Sequence, residues 1–406
     1  MLFQQTLIAF LDMALIIGVP KETYPGEKRV AMTPGVIPSL TKGGMEVLVE
    51  TGAGTASGYP DSAYTDKGAK VAVSRLQVFE GSQIIIQVRL LGANPEQGKT
   101  DLPLYQANQL VIGIAEALTN PHALRDMNTR KVKAFAMELM PRITRAQSMD
   151  VLSSMGTIAG YKAVLLAADA LPKMFPMLMT AAGTVTPAKV FIIGAGVSGL
   201  QAISMARRLG AAVEAYDLRP AVKEQVQSLG AKFVDLPIET SEAEDAGGYA
   251  KAQDENFYKR QRELLTKVIA SSDVVITTAS VPGKKAPILI TADMVAGMAP
   301  GSVIVDVAAE RGGNCELTKV DQTVVSHGVT IIGPENLSST VPFHASQMYS
   351  KNIATFLLHL VKKGELKLDP DDEITKETML THNGDIVNAR VRELLGPLAG
   401  MKPEES

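Results

Sequence analysis

Three glycines and one acid form the grouping in this chain best suited to chemistry. Gly194, Gly196 and Gly199 fall within Gly194-Ala195-Gly196-Val197-Ser198-Gly199, and Asp217 follows at the end of the next apolar run. These residue types in this order suit a dinucleotide. A glycine at 194 permits a tight turn. A glycine at 196 carries no side chain, so backbone can approach a pyrophosphate, and a glycine at 199 lets a helix pack closely on a strand. The helix N-terminus that opens at Val197 and Ser198 turns N–H groups and a positive dipole end toward phosphates. Asp217 is suited to accept hydrogen bonds from the adenosine ribose hydroxyls and to repel a 2′-phosphate, which favours NAD(H) over NADP(H). Arg219, two residues on, softens that repulsion.

Those residues work only if regular elements hold them. An apolar run, 190–193, enters the loop. A helical pattern follows through Arg208, and a second apolar run, 212–216, ends in Asp217. Strand, turn, helix and strand are therefore in register with the glycines. Further apolar runs at 232–234, 274–277, 303–307 and 329–332 extend this to a doubly wound sheet. A first α/β unit precedes it, with runs at 15–18, 46–49, 84–88, 110–114 and 133–137, as expected for a parallel sheet covered on both faces. Residues 153–170 have helical spacing with many small residues and read as a helix crossing from one unit to the other. Residues 346–361 read as a helix packing back on the first unit. The expected domains are 13–152 with 346–406, and 153–345.

Composition narrows the class. The chain has 406 residues, 46 % of them apolar and 20 % charged, with a net charge of −3. That balance suits large cores and argues against nucleic acid as a partner. The single cysteine, Cys315, excludes an intrachain disulfide, and the five histidines are scattered singly, so a protein-bound metal is not expected. No apolar run approaches the ~18 residues of a membrane span, so direct bilayer insertion is not expected. The first twelve residues lack a basic n-region and read as a stretch ahead of an alternative start at Met13. The methionines of Met174-Phe175-Pro176-Met177-Leu178-Met179 read as a pliable core or an interface. The acidic stretch 239–258 reads either as a solvated loop or as a flap bringing Tyr249 over a bound nucleotide, and the tail 398–406 reads as frayed.

Several stretches carry recognisable wording. Residues 19–35 read VPKETYPGEKRVAMTPG, a segment that resembles the start of the alanine dehydrogenase and transhydrogenase superfamily. Residues 137–154 (MELMPRITRAQSMDVLSS), 180–190 (TAAGTVTPAKV) and 280–291 (SVPGKKAPILIT) resemble the NAD(H)-binding component of proton-translocating NAD(P) transhydrogenase. The resemblance covers nearly the whole chain from Met13. It implies two Rossmann-like domains joined by crossing helices, the first completed by the C-terminal segment. It also implies hydride transfer from NADH, bound by this chain, to NADP⁺ held on a partner component. Arg142 would then contact the nicotinamide side of the cofactor, Gln147 would bridge toward the partner's nicotinamide, and Asp150 and Ser153 would hold the carboxamide. Tyr249 matches the family's mobile-loop tyrosine. The cofactor-binding set takes in Gly194, Ala195, Gly196, Val197, Ser198, Gly199, Asp217, Leu218, Arg219, Thr278, Ala279 and Asn314. A homodimer, an NADP(H)-binding component and a membrane-spanning component are the implied partners. The implied location is the cytoplasmic face of a bacterial plasma membrane, reached through those subunits.

The alanine dehydrogenases of the same superfamily carry a Lys in a VKEP-like stretch and a His in a YLHLA-like stretch. Here those stretches are Gln87-Val88-Arg89-Leu90 and Gly113-Ile114-Ala115-Glu116-Ala117. A third family position, an Asp after the strand reading VIVDVA, corresponds to Glu310. An amino-acid dehydrogenase needs a positioned base to take a proton from the substrate amine or carbinolamine. Direct hydride transfer between two nicotinamides needs none. Arg29 is retained in both groups.

Overall fold

A computed structural model describes residues 14–235, 255–280 and 283–396. Tyr249, most of the 239–258 stretch, the first twelve residues and the 398–406 tail lie outside them. The chain divides into two compact units, one running to Ser154 and resuming at Pro342, the other spanning Met155–Val341.

The first unit is built on β1 (Leu15–Val19), β2 (Met45–Glu50), β3 (Lys70–Ala72), β4 (Ile84–Arg89), β5 (Leu110–Ile114) and β6 (Lys133–Ala136). Their order is β3-β2-β1-β4-β5-β6, parallel at every pairing. Burial explains why these runs lack alternation: Ile84, Ile85, Ile86 and Val88 are all buried, as in a sheet covered on both faces. The helix Pro342–Leu360 belongs to this unit. Its side chains tie into backbone more than 250 residues away. Ser346 Oγ accepts from Val30 N at 3.0 Å, Ser350 Oγ accepts from Thr33 N at 2.9 Å, and Tyr349 Oη donates to Gln87 O at 2.8 Å.

In the second unit the helix Val151–Ala170 is followed by an exposed hairpin, β7 (Leu178–Thr180) and β8 (Gly183–Val185). Its sheet comprises β9 (Lys189–Ile193), β10 (Ala212–Tyr216), β11 (Lys232–Phe233), β12 (Val274–Thr277), β13 (Val303–Asp306), β14 (Gln322–Ser326) and β15 (Val329–Gly333). The order is β11-β10-β9-β12-β13-β15-β14, with only β14 antiparallel. The strand period of two divides its core. Val190, Ile192, Val274, Ile276, Val303 and Val305 face one cluster, while Phe191, Ile193, Val275 and Ile304 face the other.

One reading is corrected here and one narrowed. Among the described residues one helix, Val151–Ala170, is long and apolar enough by length and composition to cross a membrane. Scattered polar residues such as Ser153, Thr157 and Lys162 hide this from a search for unbroken runs, and Ala163, Val164 and Ala167 are buried in the second unit's core. Of the two alternatives for the methionine cluster, core or interface, burial removes the core. Met174, Met177 and Met179 are 50, 57 and 81 % exposed, and only Phe175 in that stretch is buried.

Candidate functional site

In an open α/β sheet the crevice for a ligand lies at the carboxyl ends of the strands, where the strand order reverses. In the second unit that point falls between β9 and β12. β9 leads into Gly194 and β12 into Thr278, so the sheet brings the glycine loop and the 278–279 turn side by side. Thr278 Oγ1 donates to Gly194 O at 3.0 Å.

Each glycine of the loop meets a different constraint. Gly194 has φ +94°, the left-handed region that a side chain disfavours. A Cβ at Gly199 would stand 1.8 Å from Gly194 O, so the helix Val197–Arg208 approaches the strand as closely as backbone allows. Gly196 is different. A Cβ there would find no atom of the described residues nearer than Arg219 Nη2 at 3.9 Å. Packing among the described residues does not demand a glycine at 196, so the space above it suits a ligand. Among the described residues no side chain caps the Val197–Arg208 helix, which leaves its first turn presented to that space.

Asp217 closes the grouping. It is 8 % exposed; its Oδ2 accepts from Ala195 N at 2.6 Å and its Oδ1 from Arg219 N at 2.8 Å. The Arg219 guanidinium grips both oxygens, at 2.9 and 3.0 Å. The grouping therefore fits a dinucleotide: open backbone at Gly196, a helix N-terminus, and a carboxylate beside the loop. Leu218 is partly buried between Asp217 and Arg219 and packs against the core.

Asn314 plays a different part from its neighbours. It is fully buried. Its Nδ2 donates to Ala279 O and Pro287 O, both at 2.9 Å, and its Oδ1 accepts from Ala279 N at 3.0 Å. Both donors are thus committed to backbone, and the side chain holds the 279 turn in place. Behind it stands a residue that sequence reasoning did not single out. Asp306, fully buried at the end of β13, accepts from Thr277 Oγ1, Ala308 N, Asn314 N, Cys315 N and Thr318 Oγ1 at 2.7 to 3.1 Å. Its only sequence signal is an acid closing an apolar strand. Burial pushes the neighbouring Cys315 thiol up to about 11, so this cysteine is not a nucleophile at neutral pH.

In the first unit, Arg142, Gln147, Asp150 and Ser153 lie on one continuous stretch. Arg142 and Gln147 are exposed. Asp150 accepts from Ser153 N at 2.9 Å and from Ser153 Oγ, capping the Val151–Ala170 helix. Arg29 turns inward: Nε and Nη2 grip Glu27 at 2.7 and 2.6 Å, and Arg89 Nε reaches the same carboxylate at 3.1 Å. Glu22 accepts from Val88 N at 2.6 Å. Part of that residue reaches solvent, but its carboxyl group lies within the protein. Burial, reinforced by Glu27, raises it to about 8. Glu138, raised by burial to about 7, accepts from Ala115 N and Ala117 N. Near the first unit's own reversal point, between β1 and β4, Arg29, Arg89 and Glu22 are thus engaged by partners within the protein. No group of three or more metal-ligating side chains occurs among the described residues.

Comparison with known proteins gives the following. The alanine dehydrogenase/PNT N-terminal domain matches residues 18–159, and the alanine dehydrogenase/PNT C-terminal domain matches residues 163–389. The first part of the NAD(P) transhydrogenase alpha subunit of Rhodospirillum rubrum is 46 % identical over 375 residues, covering 92 % of this chain and 97 % of its own. A transhydrogenase structure from Sinorhizobium meliloti is similar with a TM-score of 0.79 and 41 % identity, covering 92 % of this chain and 99 % of its own. An L-alanine dehydrogenase structure is similar with a TM-score of 0.78 and 26 % identity, covering 94 and 99 %.

Proposed function

The chain belongs to the alanine dehydrogenase/PNT family, and on that premise we propose that it is the NAD(H)-binding alpha component of a proton-translocating NAD(P) transhydrogenase. The observation that carries the proposal is the space above Gly196, flanked by Asp217 and an uncapped helix N-terminus. NADH, when bound, supplies a hydride for NADP⁺ on the partner component. The chain's own residues bind and orient. The 194–199 backbone takes the pyrophosphate, Asp217 takes the adenosine ribose, and Thr278 and Ala279 border the cofactor at the reversal point. Arg142, Asp150 and Ser153 orient the nicotinamide, and Gln147 reaches toward the partner's ring. Tyr249, which lies outside the described residues, is the remaining member of the proposed cofactor set.

Fold similarity does not separate this reading from an alanine-type amino-acid dehydrogenase, because the two structural matches score 0.79 and 0.78. Chemistry favours transhydrogenase. The family's His and Lys positions are held by residues of the Gly113–Ala117 and Gln87–Leu90 stretches, so the base needed for amine chemistry is missing there. Arg29, the remaining candidate to anchor a substrate carboxylate, is already bound to Glu27. Proton coupling would act through docking to an NADP(H)-binding component and a membrane component, which places this homodimeric chain at the cytoplasmic face of the membrane. The expected stereochemistry is that of the Si-specific/Re-specific type.

Gln147→Leu tests the assignment. Mixed with an NADP(H)-binding transhydrogenase component, the variant should bind NADH almost as tightly as the parent. Its reduction of an NAD⁺ analogue by NADH through bound NADP(H) should fall by at least about tenfold. An unchanged rate would defeat the role given to Gln147, and reduction of pyruvate with ammonia by the lone chain would favour the dehydrogenase reading.

A further inference from the structure

The loop that carries Gln147 is held by side chains from the far end of the chain. Residues Thr144–Met149 form a 3-10 turn in which Ala146 and Met149 are buried while Gln147 is exposed. On one side of Gln147, Asn352 Nδ2 donates to Ser148 O at 2.8 Å. On the other, Arg145 Nη1 donates to Asp372 Oδ2 at 2.6 Å. Asp372 is itself fixed. Its Oδ1 accepts from Thr375 N at 3.1 Å, capping the helix Glu373–Thr378, and lies 3.1 Å from His359 Nε2.

Asn352 is the more informative of the two tethers. It is 6 % exposed, and its Oδ1 is buried with no hydrogen-bond partner among the described residues. A buried carbonyl left unpaired costs stability, and an apolar side chain of similar size would avoid that cost. The unpaired carbonyl therefore does not account for an asparagine here, whereas a donor aimed at Ser148 O does. We propose that Asn352 is a positioning residue for hydride transfer: by holding the carbonyl next to Gln147 it fixes the loop backbone, with the Arg145–Asp372 pair as a second tether. This rests on the reading of Gln147 above. Hydride transfer demands ring carbons within about 3–3.5 Å, and a displacement of about 1 Å costs roughly 100-fold in rate, so the supporting shell matters as much as the contacting residue.

The test compares Asn352→Leu, Asp372→Asn and Gln147→Leu in the full chain, each mixed with an NADP(H)-binding transhydrogenase component. NADH affinity, melting temperature and the rate of NAD⁺-analogue reduction are measured together. Asn352→Leu should keep NADH affinity and melt close to the parent, because removal of the unpaired carbonyl offsets loss of the bond to Ser148 O. Its rate should fall between about 10- and 100-fold. Asp372→Asn should slow the rate less, because Arg145 is about half exposed and its tether is the weaker one. A parental rate with a lowered melting temperature would make Asn352 merely structural and overturn the inference, as would a rate loss that follows NADH affinity. Should Asn352→Leu fail to fold, a parental rate in Asp372→Asn overturns it. A slow Gln147→Leu beside a parental Asn352→Leu rejects this inference alone, while parental rates in both reject the underlying reading.

Discussion

Asp217 and Asp306 are two acids that each close an apolar strand, yet they face different ways. Asp306 spends its lone pairs on Thr277, Ala308, Asn314, Cys315 and Thr318 and is fully buried. Asp217 spends its own on the loop at Ala195 and on Arg219. A carboxylate offers about four acceptor sites, so a ribose diol reaching Asp217 must compete with the Arg219 guanidinium. This makes Asp217→Asn informative. Losing charge-assisted hydrogen bonds, each about 1.5–3 kcal/mol, should weaken NADH binding by roughly 10- to 100-fold. NADPH should lose less, because the repulsion of its 2′-phosphate goes and Arg219 is released from its partner. Titration calorimetry with both nucleotides checks this, and equal losses would count against the ribose assignment. The sequence marks Asp217 because it stands in register with the glycines. It does not mark Asp306, whose partners are adjacent only after β12 and β13 have paired, and it marks Asn314 only through the family resemblance, without its hold on the 279 turn.

At the scale of elements, the same loop holds glycines required by folding and one left open for a ligand. A methyl at 199 would press on Gly194 O, and overpacking of that kind costs about 1–3 kcal/mol. Gly199→Ala should therefore lower both the melting temperature and NADH affinity. Gly196→Ala should melt like the parent and still lose NADH affinity, which differential scanning fluorimetry with and without NADH would show. Equal melting losses in the two variants would mean that the loop is only a turn. Both doubly wound sheets are legible from long apolar runs, since β5, β10 and β12 fall where those runs lie. The strands that sequence reading misses are those with weak apolar signals. β3 has three residues, β14 is a polar edge strand, and β7 and β8 form an exposed hairpin. Position 160 gives a further lesson. A Cβ there would stand 2.1 Å from Ser198 O, so the small residues of the Val151–Ala170 helix let it lie against the start of the nucleotide-loop helix. The composition of that helix is visible in the sequence, but the element it packs against is not.

For the molecule as a whole, the exposed methionines are the feature that a single chain leaves unexplained. Met174, Met177, Met179 and Val185 lie on and just before the β7–β8 hairpin, with Met179 81 % exposed. Apolar residues gathered on one surface mark association sites more often than chance exposure, and methionine is enriched in such interfaces. The homodimer proposed above, if formed through this surface, would cover them. Replacing Met177 and Met179 together by lysine should leave folding and NADH affinity unchanged, because these side chains touch solvent rather than core. If the surface holds interface anchors worth about 2 kcal/mol, the dimer dissociation constant should rise by roughly 30-fold, as read by analytical ultracentrifugation across a dilution series. A double variant that sediments like the parent at every concentration would place the dimer contact elsewhere and leave the hairpin as a surface for a different component of the complex.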